Sequence, residues 1–347
     1  MTWRMPSETA PQERIWMAFP TARTNLGHTR EQARLAHLAW AAVANAIVRF
    51  EPVTMLVDPA DLATAREVVD PAVAIVKVPL DDAWLRDTGP TFVLDGDGAL
   101  GGVDWTFNGW GQQEWAAWEK DSLLGAEVAR GASAELVASA IVNEGGGLHV
   151  DGLGTVLVTE TVQLDPLRNP GVTKAQIEAE LARTIGATSV IWLPRGLTRD
   201  SERLGTRGHV DIVATIPSPG VLLVHSQRAP AHPDFAVSLQ IIATLSGTTD
   251  AAGNKWHIIE VPAPTVLRDG DGWVDYSYIN HVVVNGAVIL CAFDDPADET
   301  ARAIIAGAYP GREIVLVDAR PIFARGGGIH CITQQQPAST PIGEHRA

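Results

Sequence analysis

GVLLVHS, Gly220 to Ser226, is a glycine followed by four aliphatic residues and a polar exit. Its pattern returns as GPTFVLD from Gly89, GTVLVTE from Gly154 and GAVILCA from Gly286, at intervals of 65, 66 and 66 residues. Each run is short, aliphatic and largely β-branched, so each reads as a buried strand. Between them Glu31 to Phe50, Lys174 to Gly186 and Asp298 to Tyr309 carry apolar residues at three-to-four spacing, the mark of an amphipathic helix. A fixed period signals a repeat architecture. About five modules of ~66 residues, each with several strands and one helix, would fill the 347-residue chain as one domain over 1–347. Closing them into a ring buries their edges and makes a central channel where equivalent loops meet. The expected class is therefore α/β, a five-fold ring of small sheets.

One polar cluster accompanies each module. In chain order they are WLRDTGP (84–90), NEGGGLHVDG (143–152), RGHVD (207–211), DYSYIN (275–280) and RGGGIHC (325–331). The second and fifth align: Glu144-GGG-Leu-His-Val150 against Arg325-GGG-Ile-His-Cys331. Cys331 thus takes the place of Val150. The ring reading brings Asp87, Glu144, His209, Asp211, Asn280 and Cys331 to one axial cavity. A thiol, a histidine and several carboxylates in one pocket suit nucleophilic attack on a cationic substrate.

Each residue has a plainer alternative. A free cysteine is usually a small buried hydrophobe, the fate expected of Cys291 in VILCAF. Cys331 differs in following three glycines, which let backbone donors approach its sulfur. His330 and His149, read as strand residues, should point away from whatever Cys331 faces, because strand neighbours alternate. The same reading places His209 and Asp211 on one strand face, where metal ligation competes. No H-E-x-x-H or C-x-x-C occurs, so no metal is expected. Asp87 beside Arg86 reads as a packed loop under Trp84 or as a surface ion pair. Glu144 reads as a site acid or a turn residue. Neither phosphate-loop glycine pattern is present, so no nucleotide cofactor is implied.

Composition narrows the class. A formal charge of −15 argues against a nucleic-acid partner and favours a cationic ligand. No uninterrupted apolar run reaches a membrane-spanning length. Two cysteines and no apolar leader lead us to expect a cytoplasmic, reducing setting. Trp105, Trp110, Trp115 and Trp118 suit core packing, a channel mouth or an interface between copies in a homo-oligomer.

WLRDTGPTFV, NEGGGLHVDGLGTVLVTE, VIWLPRGL, GHVD and GGGIHCITQQQP, together and in this order, resemble the agmatine deiminase family, which includes the bacterial-type peptidylarginine deiminases. The resemblance runs from about Ile15 to Pro337. It implies a pentein α/β propeller of ββαβ modules and cofactor-free hydrolysis of a guanidinium to a ureido group and ammonia. It further implies Cys331 as nucleophile, His209 as general acid/base, Asp87 and Asp211 as guanidinium-gripping carboxylates, and Glu144 as the acid that orients the histidine. Trp84, Asn280 and Arg207 are the further expected substrate contacts. The pattern departs from the family before GHVD. Gly205 stands where an acid for the distal amine of agmatine is expected, and Arg199, Arg203 and Arg207 lie nearby. Arginines suit a carboxylate. Agmatine is therefore the leading expected substrate, with free arginine or a peptidyl arginine as competitor. Amidino transfer and a non-catalytic binding ring are the remaining alternatives.

Overall fold

In the computed structural model, which describes residues 2–21 and 26–339, the strand led by Gly220 runs over Val221–Ser226. It pairs antiparallel with Ala214–Ser218 and parallel with His257–Pro262. The helix Asp234–Ser246 makes the crossover, which a parallel pair requires because a hairpin cannot return the chain in the same direction. The strand led by Gly154 repeats this connectivity. Thr155–Thr159 pairs antiparallel with His149–Val150 and, through the helix Lys174–Ile185, parallel with Ser189–Leu193. So does the strand led by Gly286: Ala287–Ala292 lies between Val282–Val284 and, through Ala297–Ala308, Glu313–Asp318.

Two more units complete the set. Thr91–Leu94, Leu100–Thr106 and Glu135–Val142 form one, with the helix Leu124–Gly131. The other joins both ends of the described chain. Thr333–Pro337 pairs antiparallel with Gln12–Ala18, which is parallel to Val53–Val57 across the helix Arg30–Ile47; Ala74–Lys77 adds a further parallel strand. The described residues thus hold five ββαβ units of α/β class, and the last described strand completes the first sheet. The termini of the expected 1–347 span lie outside the described residues. Among the described residues no helix is long and apolar enough to cross a membrane.

Local chemistry explains the elements. Thr29 with Gln32 and Thr173 with Gln176 form capping boxes that satisfy the first free amides of their helices. Gly186 ends the second of these helices at φ 71°, a left-handed cap that glycine adopts without a Cβ penalty. Val53–Val57 and Thr155–Thr159 are buried along their whole length, as parallel strands covered on both faces must be.

One expectation needs correction. The Gly89 run is not equivalent to the other three. It forms the outer, antiparallel strand of its unit, and the central strand is Leu100–Thr106. That strand carries Gly101 and Gly102 inside it, where a Cβ would meet Trp3 at 2.7 Å and Ala129 at 2.9 Å. Close packing removed the glycine-led aliphatic signal from this module, and the 65-residue interval to Gly154 joins unlike strands.

Candidate active site

The five polar clusters occupy the same place in each unit, just ahead of its first strand. Asp87 lies in the helical turn Leu85–Thr88. Glu144 precedes the 3-10 turn Gly145–Gly147. His209 and Asp211 lie in irregular chain before Ala214, Asn280 in the turn before Val282, and Cys331 in the 3-10 turn His330–Ile332. The irregular chain is pinned by Asp200. Its carboxylate accepts the backbone N–H groups of Thr206, Gly208 and His209 and the Thr206 hydroxyl, at 2.7–2.9 Å.

These segments bring their side chains together. Cys331 Sγ lies 3.5 Å from Asp211 Oδ2 and 3.3 Å from Asn280 Nδ2, and the Gly328 N–H points at it from 3.5 Å. His209 lies between two acids, with Nε2 3.3 Å from Glu144 Oε2 and Nδ1 3.8 Å from Asp87 Oδ1. Asp87 accepts from the Gly146 N–H at 3.0 Å and the Trp110 indole N–H at 2.9 Å. His209 Nδ1 and Asp211 Oδ1 are buried without a hydrogen-bond partner among the described residues. Buried polar atoms are rarely left so unless function requires it. A free acceptor beside a thiol and a histidine suits a guanidinium donor.

The charges are tuned by the same contacts. Burial, then the Asp211 and Asp87 carboxylates, push the Cys331 thiol well above its ordinary value, against the Gly328 amide and Asn280. Burial lifts Asp87 to about 6 despite the opposing charge of His209. Burial alone would depress His209, but Asp87, Glu144 and Asp211 raise it to about 9. Burial would raise Glu144, yet the charge of Arg168 and the bond to His209 hold it below the usual carboxylate range.

Asp87, Asp211, Glu144, His209, Cys331 and Asn280 are thus gathered in one place. Trp84 is buried at its edge, where a Cβ on Gly327 would meet the Trp84 ring at 2.8 Å and Cys331 Sγ at 3.0 Å. Arg207 stands farther out. It pairs with Asp165 at 2.7 Å and lines an open cavity of about 730 Å³ together with Gln112, Glu114, Trp115 and Arg203. Trp115 stacks on Trp110, whose indole reaches Asp87, so an aromatic wall separates this vestibule from the acids. Trp105 and Trp110 are buried, and Trp115 and Trp118 pack against the core.

Several expectations change. His330 does not point away from the site. It sits in a 3-10 turn, where strand alternation does not apply, and its Nδ1 is 2.8 Å from Asp211 Oδ2. His149 does keep a structural place, accepting the Ile216 N–H at 2.8 Å. His209 and Asp211 share a site without sharing a strand. Arg86 is no surface partner of Asp87: it is 1% exposed and lies 4.0 Å from Glu8. Sequence reasoning passed over Arg168, Asp200 and Glu8, and left Trp110 open between core packing, a channel mouth and an interface. Trp110 alone carried a local signal, glycines on both sides in FNGWGQ, where residues 109 to 112 all take positive φ.

Gly146 sets the clearance of the site. A Cβ there would lie 2.5 Å from His209 Nδ1, 2.9 Å from Asp87 Oδ1 and 3.0 Å from Asp211 Oδ2. A Gly146→Ala variant is expected to fold and to lose about a hundredfold or more in kcat/KM, because displacing positioned groups by about an ångström costs that much. Steady-state kinetics beside a thermal melt would check it, and unchanged kinetics would mean that these groups do not act together.

The family model for the Porphyromonas-type peptidyl-arginine deiminase matches residues 4–337. An agmatine deiminase from Pseudomonas putida is 38% identical over 359 aligned positions, covering 97% of this chain and 96% of that one. The chain belongs to the agmatine deiminase family. Within this family, a Streptomyces coelicolor protein provisionally named as an agmatine deiminase is 56% identical, covering 97% of this chain and 99% of its own. The solved agmatine deiminase of Enterococcus faecalis superposes with a TM-score of 0.91 at 31% identity, over 98% of this chain and 97% of that one. The family match and this superposition bear out the expected α/β pentein class.

Proposed function

We propose that the protein hydrolyses the guanidinium group of agmatine to a ureido group and ammonia. The observation that carries this is the arrangement around Gly146 and Cys331: a buried thiol, two acids and a histidine border one small space. Asp87 and Asp211 would grip the guanidinium by its N–H groups, fixing its plane and offsetting the cost of burying its charge. The cation between those acids would also lower the thiol's resistance to ionisation, which they otherwise oppose. As the cation binds, the Cys331 thiol gives its proton to solvent, and the thiolate Sγ forms a bond to the guanidinium carbon, whose C–N π pair moves onto nitrogen. His209 gives its proton to a terminal nitrogen, the C–N bond breaks with its electron pair on nitrogen, and ammonia leaves. Neutral His209 then takes a proton from water, whose oxygen attacks the S-alkylthiouronium carbon. The C–S bond breaks with its electron pair on sulfur, the hydroxyl proton passes to the thiolate, and the ureido product departs. Glu144, fixed by Arg168, holds the imidazole and stabilises its charged form. A thiol used in this way fits a reducing, cytoplasmic setting.

Support for agmatine comes from the named relatives and from the arginines. Arg199 pairs with Asp269 at 2.7 Å and donates to the Trp273 carbonyl; Arg207 pairs with Asp165. Two of the three arginines that suited a carboxylate-bearing tail are engaged within the protein.

The test is release of ammonia and ureido product from agmatine, L-arginine and a peptide ending in arginine. Agmatine is expected to be turned over with the highest kcat/KM. Preference for a carboxylate-bearing guanidine would overturn the substrate, and no release from any would overturn the reaction. The pH profile is a second check. Asp87 must be ionised to grip a cation, so kcat/KM is expected to rise with pH through about 6. His209 must be protonated to release ammonia, so kcat/KM is expected to fall as pH rises through about 9.

A further inference from the structure

One buried ion cluster has no task in the reaction so far. Glu8 is far from the other groups in sequence, yet its Oε1 lies 2.7 Å from His330 Nε2. The other ring nitrogen, Nδ1, lies 2.8 Å from Asp211 Oδ2. All three residues are buried. A neutral imidazole has one N–H and one lone pair. Between two ionised carboxylates it satisfies one and turns its lone pair on the other. Both short contacts are favourable together only when both ring nitrogens carry protons.

We propose that His330 is a positioning residue, held as an imidazolium between Glu8 and Asp211, which keeps Asp211 ionised and leaves its Oδ1 alone to receive the guanidinium. This rests on the reading of Asp211 as a guanidinium-gripping acid. Asp211 has two oxygens with different surroundings. Oδ2 is occupied by His330 Nδ1, with the Cys331 thiol at 3.5 Å, while Oδ1 has no hydrogen-bond partner among the described residues. The clamp therefore fixes the carboxylate's rotation as well as its charge.

The groups packed around the clamp fit this assignment. Arg86 approaches Glu8 at 4.0 Å and donates to the His330 carbonyl at 3.3 Å, so two cations and two anions are buried together. His149 is 3.9 Å from Glu8, and burial keeps it and His281 below the usual histidine range, which leaves the second positive charge to His330. Tyr309, whose hydroxyl is 3.0 Å from His281 Nε2, is pushed upward by burial and Glu8 and stays neutral. On the Asp211 side stand Asp87, His209 and Cys331. Burial and Arg86 would lower His330, and the two acids outweigh them. Burial would raise Asp211, and the His330 bond and charge outweigh it; Asp87, which lacks such a clamp, is left at about 6.

The decisive variant is Glu8→Gln. A glutamine amide can donate to Nε2 while a neutral imidazole still donates Nδ1–H to Asp211. Packing and hydrogen bonds survive, and only the charge is lost. We expect the acid limb of kcat/KM to move up by about one pH unit and to steepen from one proton toward two, as Asp211 joins Asp87 in titrating. KM should carry most of the loss at neutral pH, about tenfold, and activity should recover at alkaline pH below the His209 limb. His330→Asn, which cannot carry the charge, should move the limb the same way. Nitrogen-15 NMR of the histidine rings at about pH 8 should find both His330 nitrogens protonated in the wild type and one in Glu8→Gln. A merely structural histidine would lower activity equally at all pH, or not at all in Glu8→Gln. Superimposable pH profiles, or a neutral His330 in the wild type, would overturn the proposal. Absence of guanidine turnover by the wild type would instead remove the deiminase reading, and this role of Asp211 with it, while the NMR arm still reports the imidazolium.

Discussion

Cys331→Ala is expected to abolish guanidine hydrolysis, with kcat falling by about 10⁴-fold or more while the fold and guanidine binding persist. The size follows from the role: a covalent route has no partial substitute once its nucleophile is gone. Binding should survive because the gripping acids do not depend on the sulfur. Asp87 keeps the Gly146 and Trp110 N–H groups, and Asp211 keeps His330. Asp211 loses only the long 3.5 Å contact from the thiol, so affinity should hold or rise. Alkylation gives a companion result. The thiol's pKa is held well up by burial and both carboxylates, so iodoacetamide should label Cys331 slowly at neutral pH. Cys291 is itself fully buried in the strand Ala287–Ala292 and should not compete. Intact mass after rapid acid quench should find the thiouronium adduct on the wild type and none on Cys331→Ala. Residual turnover within tenfold of wild type would place the chemistry elsewhere.

The parts of the site that the sequence disclosed share one property. Asp87, Glu144, His209, Asp211 and Cys331 lie within three residues of a glycine, ahead of a strand, where the backbone must turn and approach a ligand closely. Such positions leave a local mark. Asp200 escaped notice although its partners Thr206, Gly208 and His209 are near in the chain, whereas Glu8 and Arg168 act through partners farther away. Glu8 reaches His330 across 322 positions, and no window of sequence contains both. Arg168 lies in PLRNPG, which reads as an ordinary turn. The misplacement of His330 has a different source. Alternation of side chains was applied across Ile329 to Cys331, but the strand begins only at Thr333, after a 3-10 turn that rotates His330 toward Asp211. The five-fold repeat was legible from three strands, and the family motifs supplied what the Gly89 interval did not.

Arg168→Met is expected to cost about 3–5 kcal/mol of unfolding free energy, the range for removing one partner of a buried ion pair. Its guanidinium is inaccessible to solvent and joins three separate pieces of the site. Nε donates to both oxygens of Glu144 at 2.9 and 3.1 Å, Nη1 to Asp165 at 2.9 Å, and Nη2 to the Thr206 carbonyl at 2.7 Å. Methionine fills much of the volume but leaves buried Glu144 with His209 as its cationic partner, Asp165 with Arg207, and a carbonyl without its donor. The weakened carboxylates respond by taking up protons more readily. For Glu144 that means the loss of the anion that supports a charged His209, so the alkaline limb of kcat/KM should move down from about 9 in the same variant. Arg168→Lys separates the two effects. It keeps a charge but not the planar fork, so it should recover part of the stability and little of the geometry. Denaturant unfolding and pH-rate profiles of both variants give the check. Wild-type stability in Arg168→Met would mean that the ion pairs contribute no net free energy. A lowered stability with an unmoved alkaline limb would detach Glu144 from the protonation of His209.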